Sequence, residues 1–145
     1  MKWILAALLV TTLGGAGVAY ASSLTVSSAR VTVFKNTLGS PTLAVAPVET
    51  SIPVNTSASA TATLGGGYVG SPTGTVTFTV YTDSGCTTLH PTPSNVVTVT
   101  GLVTTSNPVT FATAGTYYWL ASYSGNGYNQ PATSPCSATA LTVTP

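Results

Sequence analysis

The sequence predicts an all-β protein, a two-sheet antiparallel sandwich of short strands. Three observations predict it. Apolar and polar residues alternate with period two after residue 22, and no segment there shows the 3.6-residue spacing of an amphipathic helix. The alternating runs are rich in Thr and Val, whose branched side chains suit a pleated, half-buried surface. Clusters of Gly, Pro, Asn, Asp and Ser separate the runs at short intervals, as the turns of stacked antiparallel sheets require.

The elements follow in chain order. Lys2, the apolar residues 3–10 and Ala19-Tyr20-Ala21 before Ser22 read as a secretory signal peptide over residues 1–21. As a membrane anchor this stretch is barely long enough, and Thr11, Thr12, Gly14, Gly15 and Gly17 weaken it. Residues 22–47 form an N-terminal strand arm. Leu24 and Val26 share one face, Val31 and Val33 another, and the change of phase at Ser27-Ser28 predicts a bulge or bend. Residues 36–41 read as a turn, and residues 42–46 as a further short strand. Residues 48–145 form the sandwich domain. Val76, Phe78 and Val80 alternate with threonines; Val97 and Val99, then Val109 and Phe111, repeat the theme. Tyr117, Trp119, Ala121 and Tyr123 lie on one face of the longest run, and residues 138–143 make the last strand. Turns are expected at 65–67, 71–74, 83–85, 91–93, 114–115 and 125–127.

The stretches Gly74-Thr-Val-Thr-Phe, Val109-Thr-Phe, Ala114-Gly-Thr-Tyr-Tyr-Trp-Leu-Ala-Ser-Tyr-Ser-Gly125-Asn126 and Ala138-Thr-Ala-Leu-Thr-Val-Thr resemble bacterial and archaeal Ig-like repeat modules of surface and adhesin-like proteins. The resemblance covers roughly residues 48–145. It implies an Ig-like antiparallel β-sandwich, with the face of Tyr117, Trp119 and Tyr123 turned inward. Those modules often carry Gly-Asp after the Tyr-Ser pair, where this chain has Gly125-Asn126, and they usually occur in tandem, where this chain has one copy.

Charge is scarce. Asp, Glu, Lys and Arg make up 3% of the chain, against about 25% in an ordinary globular protein. Beyond the leader only Arg30, Lys35, Glu49 and Asp83 are formally charged, and they cancel. A neutral chain has no long-range field to gather nucleic acid or anionic lipid. Low net charge with many β-branched residues also argues against disorder. Catalysis usually needs acids, bases or metal ligands held together, and Asp83, Glu49 and the lone His90 supply almost none. Asp83 reads as a turn-shaping residue beside Gly85. Two thiols and one His do not complete a zinc site, and two separate carboxylates do not make a calcium site. The expectation is a protein without enzymatic activity, cofactor or metal.

Cys86 and Cys136, an even pair in an exported chain, are expected to form a disulfide. Asn55-Thr56-Ser57 is an N-glycosylation sequon. Tyr68, Tyr118 and Tyr128 are the candidate exposed aromatics, able to stack on sugars or a partner. With so few titrating groups, stability is expected to vary little between about pH 3 and pH 8.

Two functions fit. The first is an extracellular structural protein, a cell-surface or filament (pilus-like) subunit assembling through β-strand contacts, with Leu24, Val26, Val31 and Val33 as the side chains of a donor strand. The second is a monomeric, secreted adhesin-like or carbohydrate-binding module. The expected partners are further copies of the chain or other surface proteins, with glycans in the second reading. Nucleic acid is not expected, nor is a membrane once the signal is cleaved.

Overall fold

The computed structural model describes residues 38–67 and 70–145. Among these residues all regular structure is β. The expected signal peptide (1–21) and the expected donor-strand residues Leu24, Val26, Val31 and Val33 lie outside the described residues, as does Tyr68.

The sandwich has two facing layers. The first layer is β1 (Thr42–Pro47), β4 (Ala60–Gly65) and β7 (Val103–Thr105), in the order β1-β4-β7. The second layer runs β2 (Ser51–Pro53), β11 (Leu141–Thr144), β9 (Gly115–Tyr123), β5 (Thr75–Tyr81) and β6 (Asn95–Thr98), and β10 (Ala132–Thr133) pairs with the end of β9. A ribbon of β3 (Thr56–Ala58) and β8 (Val109–Phe111) closes one end of the core.

Alternation decides what is buried. Val76, Phe78 and Val80 of β5 and Tyr117, Trp119, Ala121 and Tyr123 of β9 all point into the core, as the period-two reading and, for β9, the Ig-like resemblance expect. Leu43, Ala62 and Leu64 of the first layer meet them from the other side. Trp119 is the central side chain. Its ring packs edge-on against Phe78 at 6.5 Å and against Phe111 at 6.4 Å, and burying each such ring contributes roughly 2–3 kcal/mol. Its indole Nε1–H has no hydrogen-bond partner among the described residues. The ends of β9 are tied by phenols. The Tyr117 hydroxyl donates to the Thr113 carbonyl at 2.8 Å, an arrangement like the tyrosine corner of Ig-like sandwiches. The Tyr123 hydroxyl donates to the Thr73 carbonyl at 2.7 Å.

Two expectations are corrected. The boundary drawn at residue 47 moves, because Thr42–Pro47 is a full strand of the sandwich, paired along its length with Ala60–Gly65. Leu43 and Pro47 of that strand are buried. The sheets are also not purely antiparallel, because β2 runs parallel to β11. The chain crosses from the first layer to the second between Pro47 and Ser51 without a hairpin, so β2 meets the last strand in parallel.

Candidate functional site

The disulfide forms between Cys86 and Cys136, with Cα atoms 5.7 Å apart. It joins the loop after β5 to the segment before β11. Asp83 shapes that loop. Its carboxylate accepts from the N–H groups of Thr88 at 2.5 Å, Thr87 at 3.0 Å and Gly85 at 3.0 Å, and from the Thr87 hydroxyl at 3.0 Å. The Thr88 N–H, followed by those of Thr87 and Gly85, holds this carboxyl below its usual 3.8 against an opposing effect of desolvation. Cys86 sits at φ +51° inside the turn so formed. His90 is engaged elsewhere. Its ring packs on Phe111 and Tyr117, and Nδ1 lies 2.6 Å from the Thr92 hydroxyl. Burial holds its imidazole below the usual 6.5. Asp83 and His90 thus serve the fold at separate points. Among the described residues no three of His, Cys, Asp and Glu cluster as metal ligands.

The aromatic candidates do not converge. Tyr118 is half-buried on the outward face of β9, opposite Tyr81 of β5. Tyr128 is 63% exposed, in the loop beyond the other end of β9. Five residue steps along the strand lead from Tyr118 to Tyr123, roughly 17 Å of rise. Asn55 is exposed at φ +61° in the turn between β2 and β3, where its N–H donates to the Phe111 carbonyl at 2.7 Å.

The feature that sequence reasoning missed is a cleft between β1 and residues 130–138. It begins as a hollow of about 530 Å³ where Leu43 and Ala44 face Pro131, Ala132 and Pro135. A smaller hollow of about 160 Å³ adjoins it, between Val45 and Cys136. No charged side chain lines either hollow.

The cleft exists because, among the described residues, the outer edge of β1 has no partner strand and the strand opposite it is interrupted. In β4, Leu64 N–H donates to the Leu102 carbonyl and the Ala60 carbonyl accepts from Ser106 N–H, so the even-numbered residues face β7. The odd-numbered residues face β1, as Val48 N–H to the Ser59 carbonyl shows one step beyond. In β1 the ladder bonds therefore fall on Thr42, Ala44 and Ala46. Leu43 and Val45 aim N–H and C=O away from β4, and no strand among the described residues pairs with that edge. The other wall is held off by serines. Ser134 and Ser137 each donate a backbone N–H to β9, to the carbonyls of Ala121 and Trp119, at 2.9 Å. Their hydroxyls accept in return from Ala121 N–H and Trp119 N–H at 3.0 Å. The last strand is thus interrupted between β10 and β11. The sequence signal was Ser134-Pro135-Cys136-Ser137, a break in alternation with a proline inside it.

One end of the cleft is set by a tight loop. Gly125 has φ +74°, and a Cβ there would lie 2.7 Å from the Asn129 carbonyl oxygen, so only glycine fits. The loop presents Tyr128 and Gln130 to Gly39. Gly39 N–H donates to the Tyr128 carbonyl and its carbonyl accepts from Gln130 N–H, both at 2.8 Å. This bridge is parallel, so the chain at Gly39 runs in the same sense as residues 128–130.

No family model matches the chain, and no curated protein matches it. Among solved structures it is similar to the CARDB domain of a Pyrococcus furiosus protein, solved in complex with di-metal ions. The identity is 19%, the alignment covers 76% of this chain and 97% of that domain, and the TM-score is 0.43.

Proposed function

We propose that this chain is an extracellular structural subunit that assembles with copies of itself through β-strand contacts. The observation that carries the reading is the edge of β1, left without a partner strand among the described residues, beside an uncharged cleft. A strand edge with free N–H and C=O groups is a template for a further strand. Soluble monomers usually blunt such an edge with charge or cover it, and here Leu43, Ala44 and Val45 carry no charge. The chain's few ionisable groups support a structural task, since Asp83 and His90 are engaged in a turn and an aromatic contact. No catalytic role is assigned.

The test is electron microscopy and size-exclusion chromatography of the native secreted protein. Polymers that break down to subunits are the expected result. A uniformly monomeric protein would sink the reading and favour the adhesin-like or carbohydrate-binding module.

A further inference from the structure

We infer that the cleft between β1 and residues 130–138 receives residues 29–34 of a second copy of this chain, with Val31 and Val33 turned into it. The inference rests on the reading of the protein as a strand-assembled subunit and names the contact that would join its copies.

The spacing matches. The open edge of β1 presents one N–H and one C=O at Leu43 and again at Val45, two residues apart. Val31 and Val33 are two residues apart in the run Ala29-Arg30-Val31-Thr32-Val33-Phe34, whose composition favours a strand. The hollows flank residues 40–45, about 20 Å of extended chain, which accommodates six residues. Leu24 and Val26 lie beyond the phase change at Ser27-Ser28 and therefore outside this length. The chemistry also matches. Leu43 is buried and Val45 half-buried on the core side of β1, so apolar side chains flanking them complete the rim of the core. On the outward side the exposed Ala44 takes Thr32 as its neighbour. That pairing holds whether the incoming strand runs parallel or antiparallel, because Thr32 is central between Val31 and Val33 as Ala44 is between Leu43 and Val45.

Chain direction points to a second copy. The parallel bridge at Gly39 sets the chain moving with residues 128–130 and on into β1, so the cleft lies downstream of that point. Both backbone groups of Gly39 are already bonded to residues 128 and 130, so the bridge closes that end of the cleft. The same chain's residues 29–34 would have to double back within residues 35–38 and pass this bridge, whereas a neighbour's segment enters from the open side. A contact in which one copy's arm fills the next copy's cleft is head-to-tail and propagates without closing.

The experiment is disulfide trapping in the full secreted chain. Thr32→Cys and Ala44→Cys proteins are prepared separately, mixed and mildly oxidised. Both substitutions leave the buried side chains of the described sandwich untouched. The expected product is a covalent dimer whose peptide map links positions 32 and 44. The doubly substituted chain is expected to give a ladder of covalent multimers. An internally cross-linked monomer would overturn the inference, because the chain's own arm would then fill the cleft. Absence of any link between 32 and 44 would overturn it as well. If the unsubstituted protein forms polymers and the link is absent, the cleft assignment falls while the filament reading stands. If it forms no polymers, the filament reading falls first. A Val31→Asp/Val33→Asp variant gives a second readout, with loss of polymers and an unchanged melting transition of the sandwich expected.

Discussion

The two edges of β9 solve the same problem in different ways. Along one edge β5 pairs residue for residue, from Val76 opposite Tyr123 to Tyr81 opposite Tyr118. Along the other edge β11 covers Gly115–Tyr117 and β10 covers Ser122 and Tyr123, and between them two serines stand in for a strand. A continuous strand leaves no room beside it. A serine clamp satisfies a backbone N–H with a side chain and frees its own segment to bow outward. That bow carries Cys136 and Pro135 and forms one wall of the cleft. Closure and openness in this sandwich therefore come from the choice of hydrogen-bonding group, since both edges bury the same face of β9.

The paired edge should be the costlier one to break. Phe78→Ala removes the β5 ring that packs against Trp119, and a loss of about 3–5 kcal/mol in denaturant unfolding is expected. A loss below about 1 kcal/mol would mean that β5 contributes less to the core than its full ladder implies.

Removing the disulfide tests the tether between the two edges. With a separation of 50 residues, the Cys86→Ser/Cys136→Ser pair should lose about 2–4 kcal/mol. The bowed segment 134–140 should also gain amide exchange, while β5 should not. Equal gains in both would show that the crosslink supports the whole sandwich.

The serine clamps come next. Ser134→Ala and Ser137→Ala each leave a buried β9 N–H without its acceptor, at an expected cost of about 1–3 kcal/mol apiece. Ser122→Ala, on the outward face of the same strand, should stay within about 0.5 kcal/mol. Equal effects at all three serines would remove the distinction between clamp and surface hydroxyl.

The smallest effect is that of pH. His90 and Asp83, both in the loop that follows β5, titrate lower in the folded chain than in the unfolded one. A depressed folded value means that the unfolded chain binds the proton first on acidification, so both groups remove stability as pH falls. The melting temperature should be level from pH 8 down to about 6.5, decline gently as pH falls through the folded value of His90, and decline again below about 3.8 as Asp83 loses its N–H contacts. His90→Gln should flatten the first decline and leave the second. This sharpens the near-level profile expected from composition. A rise in stability on acidification would contradict the sign of both shifts.

Period-two alternation with threonines sufficed to place Val76, Phe78 and Val80 in the core, because a strand has only two faces and one must be buried; for Tyr117, Trp119, Ala121 and Tyr123 alternation grouped the side chains, and the Ig-like resemblance implied that their face turns inward. The even cysteine count, read with the expected leader, pointed to the pairing of Cys86 with Cys136 that the structure contains. Asp83 beside Gly85 was readable as a turn because its hydrogen bonds are local in sequence. The partner of each edge was not readable in this way. That β1 pairs with β4 on one side only, that β2 meets β11 in parallel, and that Ser134 and Ser137 reach β9 are relations between residues far apart in the chain. Alternation fixes which way a side chain points; it leaves open which backbone lies alongside. The cleft is a property of that second choice, so only the tertiary structure could decide it.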